Sequence, residues 1–325
     1  MNRFIKAVGL IATAVLCTPI AAQTYPVKPV MVVIPYPPGG VDRVVRLIQP
    51  DIQKELGQPW VVEYKPGASG LIGMTHVARA RPDGYTLLFT ASNPWVVTPV
   101  VRVSTPYDPI KDFTPITNTT AGVNVIVAGP QFPPNTFREM IDYAKKNPAK
   151  VSWATSGLGS FWHLDAENIN RLAGTDILHV PFAGFGPMIP AMYSGQVSMN
   201  LITLQTVRGL ISAGKVKPLA IMNSDNKASH LFPKGVEIVK DVLPDYVMGA
   251  SWNGVAGPGN LPRPIVLRIS QAVHKALSQK AFVDRITHDG SYVIANTPEE
   301  FAARIVSDLE RSRSIMRAAK ITPLN

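Results

Sequence analysis

The chain has 325 residues, with 32 Lys plus Arg against 22 Asp plus Glu and a formal net charge of +10. Apolar residues make up 46% and charged residues 17%, a balance that buries a large core and excludes a disordered or fibrous chain. The single cysteine, Cys17, excludes a disulfide framework and any cysteine-built zinc or iron–sulfur site, and the length points to two domains.

The first segment is set apart from the rest. Arg3 and Lys6 precede an uncharged apolar stretch from Ala7 to Ile20, and Ile20-Ala21-Ala22 offers small residues for cleavage. This is the pattern of a secretory signal peptide over residues 1–22. The stretch is short for a bilayer span, which needs roughly 20 residues, so an uncleaved anchor is the lesser reading. Lipidation at Cys17 is disfavoured by the bulky Leu16 before it. Cleavage would remove the only cysteine and leave an exported, still basic chain. No later segment has about 18 consecutive apolar residues.

Val30 to Tyr36 is a β-branched run ending in Pro37-Pro38-Gly39-Gly40, a buried strand followed by a glycine turn. Apolar residues at Val44, Val45, Leu47, Ile48, Ile52 and Leu56 predict a helix over Arg43 to Leu56, which Pro50 is expected to kink or divide. Trp60 to Tyr64 is a second strand, Gly67-Ala68-Ser69-Gly70 opens a helix through Ala80, and Tyr85 to Thr90 is a third strand. Strand, helix, strand, helix, strand implies parallel right-handed crossovers in an open α/β sheet.

A second set of units follows. Strands are predicted over Val123 to Ala128, Val151 to Thr155, Asp176 to Val180, Val197 to Ile202 and Lys217 to Met222. Helices are predicted over Thr136 to Lys146, with Thr136 as N-cap, Phe161 to Ala173, Pro187 to Tyr193 and Val207 to Ala213. Two long amphipathic helices, Pro264 to Ser278 and Pro298 to Ala319, close the chain.

One feature recurs: a strand ends in a polar turn just before a helix, at Gly39-Gly40, at Ser92-Asn93 and at Ser156 to Ser160. In open α/β sheets such turns line the crevice at the carboxyl ends of the strands. Their free N–H groups and helix N-termini suit an anion, each helix end contributing about 0.3–1 kcal/mol. Catalytic and cofactor signatures are missing. None of the six histidines pairs with another at zinc spacing, Gly67-Ala68-Ser69-Gly70 is not a nucleophile elbow, and Gly157-Leu158-Gly159 lacks the rest of a dinucleotide fingerprint. No cofactor and no metal are expected. Asp42 reads as a first-turn acid favoured by the helix dipole. Ser160 and His163 lie one helical turn apart, so a nucleophile–base pair, and with it an exported hydrolase, is one alternative. Basic residues are dispersed rather than gathered with aromatics, which disfavours nucleic acid.

The motifs also resemble a known family, the substrate-binding proteins of tripartite tricarboxylate transporters, or Bug family. The resemblance runs through VVIPYPPGG (Val32 to Gly40), LGQPWVVEYKPGASGLIG (Leu56 to Gly73), VARARPDGYTLL (Val77 to Leu88), YDPIKDFTPI (Tyr107 to Ile116), ATSGLGSFWHL (Ala154 to Leu164) and HVPFAG (His179 to Gly184). SGQV (Ser194 to Val197), ISAGKVKPLAI (Ile211 to Ile221) and TPEEFAARI (Thr297 to Ile305) complete it. It implies a type II periplasmic binding-protein fold: two α/β lobes, a hinge and a ligand cleft that closes on a small carboxylate. The expected lobes are 23–122 with 249–325, and 123–248, crossing near Asn118 to Asn124 and returning near Asp245 to Ala250. The implied ligand-binding residues are Pro38, Gly39, Gly40 and Asp42, then Ser92 and Asn93, then Thr155, Ser156, Gly157, Ser160 and His163, and finally Phe182, Ala183 and Gly184. The implied partners are the membrane subunits of a tripartite transporter, with the receptor acting as a periplasmic monomer. A sensor that docks to a signalling kinase would use the same lobes and is the other alternative.

Two departures from the family pattern stand out. A single residue, Val41, separates Gly40 from Asp42, where the family commonly has two, and Ile202 stands where an acid is common. The second argues against amino-acid ligands. Trp95, Phe161, Trp162, Phe182 and Trp252 fall in or near the cleft loops. Together they point to an aromatic mono- or dicarboxylate, terephthalate being the concrete case.

Overall fold

The structure is a computed structural model that describes residues 25–223 and 229–324. The expected signal peptide and Cys17 lie outside the described residues. Among the described residues, no helix is long and apolar enough to cross a membrane.

Two six-stranded sheets organise the described residues. The first begins with β1 (Val30–Ile34), β2 (Trp60–Tyr64) and β3 (Thr86–Ala91), then β4 (Phe113–Gly122). The chain crosses at Val123 into the second sheet: β5 (Asn124–Ala128), β6 (Ser152–Thr155), β7 (Leu178–Pro181), β8 (Met199–Thr203), β9 (Lys217–Ile221) and β10 (Glu237–Ile238). It then returns to the first sheet with β11 (Trp252–Pro258) and β12 (Ser291–Val293). The spatial orders are β12-β4-β11-β3-β1-β2 and β10-β9-β5-β8-β6-β7.

Helices cover both sheets. They are α1 (Gly40–Leu56), α2 (Leu71–Ala78), α3 (Thr98–Val101), α4 (Phe137–Lys146), α5 (Phe161–Ala173), α6 (Met188–Tyr193), α7 (Leu204–Ser212), α8 (Val239–Val242), α9 (Arg263–Leu277), α10 (Lys280–His288) and α11 (Pro298–Ala318). Local chemistry explains the clearest boundaries. Thr136 caps α4 by accepting the Glu139 N–H at 3.2 Å, a bond whose loss costs about 1 kcal/mol. Ser160 caps α5 in the same way, and Gly174 ends it in the left-handed conformation at φ 63°.

The sheets are mixed rather than wholly parallel. β1 pairs with β2 and β3 in parallel, and β6 pairs with β7 and β8 in parallel, as the alternating pattern predicts. β11 runs antiparallel to both β3 and β4, and β5 antiparallel to β8 and β9. These reversals arise where the chain leaves one sheet for the other, so no local crossover precedes them. Pro50 also differs from expectation: α1 runs undivided through it. Pro50 sits on the exposed side, while Val44, Val45, Ile48, Ile52 and Leu56 are buried in one core with α9. That packing outweighs a penalty of about 3 kcal/mol for an interior proline.

Candidate functional site

The carboxyl ends of β1, β3, β6, β7 and β8 turn towards one cleft between the sheets, with a volume of about 1020 Å³. That is the size of a small-molecule pocket. Its first wall is the turn Tyr36-Pro37-Pro38-Gly39 with Val41, Arg43, Ser69, Ala91, Ser92 and Asn93, backed by Ser251, Trp252 and Asn253 at the start of β11. Its second wall is Ser156 and Leu158 to Trp162, then Gly184 and Phe185, then Thr203, Gln205 and Thr206. Among the described residues, Arg43 and Arg102 are the charged ones that line the cleft, and no acid does. The N-termini of α1, α5 and α7 all open at these walls, so the positive ends of three helices and their backbone N–H groups face the cleft.

The first turn is braced from behind. The Asp42 carboxylate accepts the Gly39 N–H at 2.9 Å, the Arg46 Nε–H at 2.9 Å and the Tyr64 hydroxyl at 2.5 Å. Burial pushes its pKa up, but the bonds from Tyr64, Arg46 and Gly39 outweigh this and hold it below the usual carboxylate range. Asp42 therefore shapes the turn and is not among the cavity-lining residues. Arg43, one residue on, faces the cleft and is ion-paired with Asp289. Ser92 donates its hydroxyl to the Ala250 carbonyl at 2.6 Å, which ties this wall to the returning chain.

The second turn is built differently. Gly157 and Gly159 take φ values of 129° and 71°, conformations that a side chain resists. Ser160 donates to the Gly157 carbonyl at 2.8 Å and accepts the His163 N–H at 3.2 Å. The His163 ring takes the Gly159 N–H on Nδ1 at 3.2 Å, so Ser160 and His163 meet as a helix cap and not as a nucleophile with its base. Burial holds the His163 imidazole below its ordinary pKa.

Of the residues expected from the sequence, Pro38, Gly39, Ser92, Asn93, Ser156, Ser160 and Gly184 line the cleft. Asp42, Thr155, Gly157, His163, Phe182 and Ala183 lie beside it and are not among the lining residues. Thr155 is fully buried at the end of β6, where its hydroxyl meets His179.

The aromatic set changes. Trp95 is fully buried, donates to the Pro109 carbonyl at 2.7 Å and packs on Phe113, Trp252 and Phe301, so it belongs to the core and not the cleft. Phe185 lines the cleft where Phe182 was expected, and packs edge-on to Trp162 with ring centroids 4.9 Å apart. Phe161, Trp162 and Trp252 are lining residues. The Trp162 Nε1–H and the Asn93 Oδ1 are buried with no partner among the described residues.

Sequence reasoning missed Thr203, Gln205 and Thr206, which form a further strand-to-helix turn. It missed Ser69 too, a non-glycine residue held at φ 57° in the turn before α2. Ile202, the position noted for its missing acid, is fully buried in the second-sheet core and does not face the cleft.

Comparisons with known proteins agree on one identity. A family model described as tripartite tricarboxylate transporter family receptor matches residues 44–321. Protein BugT of Bordetella pertussis is 30% identical over 320 residues, which cover 98% of this chain and 97% of that protein. Among solved structures, Rpa4515 of Rhodopseudomonas palustris with adipate has 26% identity and a TM-score of 0.81, over 92% of this chain and 100% of that one. MatC of the same species, with bound malate, has 31% identity and a TM-score of 0.75, over 90% and 99%. The two-lobed periplasmic binding-protein fold follows, and the chain belongs to the receptor family of tripartite tricarboxylate transporters.

Proposed function

We propose that this protein is a periplasmic receptor that captures a small carboxylate by closing its cleft and delivers it to the membrane subunits of a tripartite transporter. The observation that carries this reading is the charge of the cleft: arginines and helix N-termini line it, and among the described residues no acid does. A carboxylate entering it exchanges water for charge-assisted bonds. Binding in the micromolar range needs about 8 kcal/mol in all, within reach of several such bonds and apolar burial. Relatives solved with adipate and malate support the same ligand class. The capping role of Ser160 and His163 speaks for binding without turnover.

The finer reading is an aromatic mono- or dicarboxylate of the terephthalate type. Trp162 and Phe185, with Phe161 stacked behind Trp162, offer ring contacts, each worth about 0.5–1.5 kcal/mol beyond burial. The lobes in this reading are 23–122 with 249–325, and 123–248, hinged at the β4–β5 crossing and the Gly249 return. The chain acts as a monomer after cleavage of its leader. Calorimetry of the mature protein with terephthalate, benzoate, adipate, citrate and glutamate tests it. The expected result is tightest binding of terephthalate or benzoate; binding of citrate or glutamate with neither aromatic acid overturns the finer reading.

A further inference from the structure

We propose that His163, Glu167 and His179 form a site for a divalent transition metal, with zinc as the first probe, behind the second wall of the cleft. Their ligand atoms lie within 4.8 Å of one another. His163 and Glu167 stand four residues apart on α5, and His179 is on the neighbouring edge strand β7. The sequence hides this group, because no two histidines share a zinc spacing and the third ligand arrives through the β6–β7 pairing.

The outer contacts of the two imidazoles fit the role. The Thr155 hydroxyl lies 2.6 Å from His179 Nε2; the tautomer that carries its proton on Nε2 directs it at Thr155 and leaves the Nδ1 lone pair for a metal. His163 joins by giving up its 3.2 Å bond from the Gly159 N–H. Partners of this kind set ring orientation at metal sites. Zinc–nitrogen bonds of about 2.0–2.1 Å place tetrahedral ligands about 3.4 Å apart, so the cluster has up to about 1.4 Å to close. In closing, the two rings turn out of their present stack, which has centroids 4.3 Å apart at 22°.

A cavity of about 310 Å³ beside the C-terminal tail is lined by His163 and Glu167. It provides entry and a place for water as fourth ligand. Two imidazoles with one carboxylate suit zinc, copper(II) or nickel(II).

The test is a zinc titration of untagged, chelator-treated mature protein against a chromogenic chelator. One equivalent per chain is expected. Binding should weaken at least tenfold in His179→Ala and in Glu167→Gln, and be unchanged in His76→Ala, whose exposed ring lies outside the cluster. No stoichiometric binding, or binding indifferent to both cluster substitutions, overturns the proposal. If His179→Ala does not fold, anomalous diffraction from zinc-soaked crystals of the unsubstituted chain decides. A peak among the three side chains is expected; a peak elsewhere, or none, refutes the site.

Discussion

The two walls of the cleft present N–H groups to the same space, yet they are held by different chemistry. The first turn is pinned by charge, with Asp42 gathering the Gly39 amide, Arg46 and Tyr64 behind it. The second turn is pinned by neutral bonds and by backbone shape, through the Ser160 cap, the His163 ring and two left-handed glycines. It also leans on the first wall. A Cβ added to Gly159 would lie 2.9 Å from Leu324 Cδ1 and 3.0 Å from Val101 Cγ2, whereas one added to Gly39 has its nearest neighbour, the Pro37 carbonyl oxygen, at 4.0 Å. The first wall thus tolerates shape and depends on charge, and the second depends on shape.

Substitutions at these glycines make the sharpest contrast. Gly39→Asp places a negative charge at the α1 N-terminus and should cost carboxylate affinity at least about 100-fold, or ~2.8 kcal/mol, with folding intact. Gly39→Ala should change affinity little. Gly159→Ala meets both a left-handed backbone and close side chains, and should lower affinity about tenfold with a lower unfolding midpoint. Equal effects of alanine at the two positions, by calorimetry, would break the comparison.

Arg43→Gln comes next. It removes a guanidinium from the first wall and should weaken carboxylate binding about tenfold while flattening its dependence on salt. Affinity measured at low and high ionic strength reads this directly. A smaller effect belongs to Trp162→Ala on the second wall. It should cost terephthalate about 0.5–1.5 kcal/mol more than it costs adipate, so equal losses for the two acids would remove the aromatic reading.

pH separates the walls by the range over which each loses stability. His179, ordinarily near 6.5, is held at about 4, by burial first and by His163 second. It is neutral when folded and gains a proton on unfolding, so its contribution to stability is lost as pH falls from about 6.5 to about 4. Asp42 has its folded value lowered below 3.8, so its contribution is present above that pH and lost as the pH falls through the lowered value. Asp165, which is fully buried, is raised to about 7 by desolvation. Its stabilisation is full below its ordinary 3.8 and fades as pH rises through about 7, which opposes His179. Because Asp165 is common to all variants, differences between them isolate the walls. The midpoint gap between wild type and His179→Gln should change by a few degrees between pH 7 and pH 5. The gap to Asp42→Asn should stay constant there and shrink only below about pH 4.

Legibility followed the range of the interactions. α5 was readable residue for residue, because Ser160, the apolar face and Gly174 are all local to it. β2 was readable from its β-branched and aromatic run. β4 was seen only in part, as a crossing near Asn118, because a stretch rich in Thr and Asn becomes a strand only when β11 arrives from far along the chain. β11 and α10 were missed for related reasons: β11 needs its partners, and α10 is a short helix directly behind the end of α9. At the site, strand-to-helix turns located Gly39, Ser92, Asn93 and the Ser156–Ser160 turn. The same rule reaches Thr203 and Gln205 once α7 is known to start at Leu204 rather than Val207. No local pattern tells Phe182 from Phe185, or places Trp95 in the core, since loop phase and burial are set by tertiary packing.

The central claim, that this cleft holds a carboxylate, is tested most directly by a thermal-shift screen of the mature protein. Each small carboxylate is paired with its uncharged amide of the same shape. A carboxylate present at 100 times its dissociation constant should stabilise the fold by about 2.7 kcal/mol, and its amide should not. No shift with any carboxylate, or equal shifts with the amides, would contradict the account.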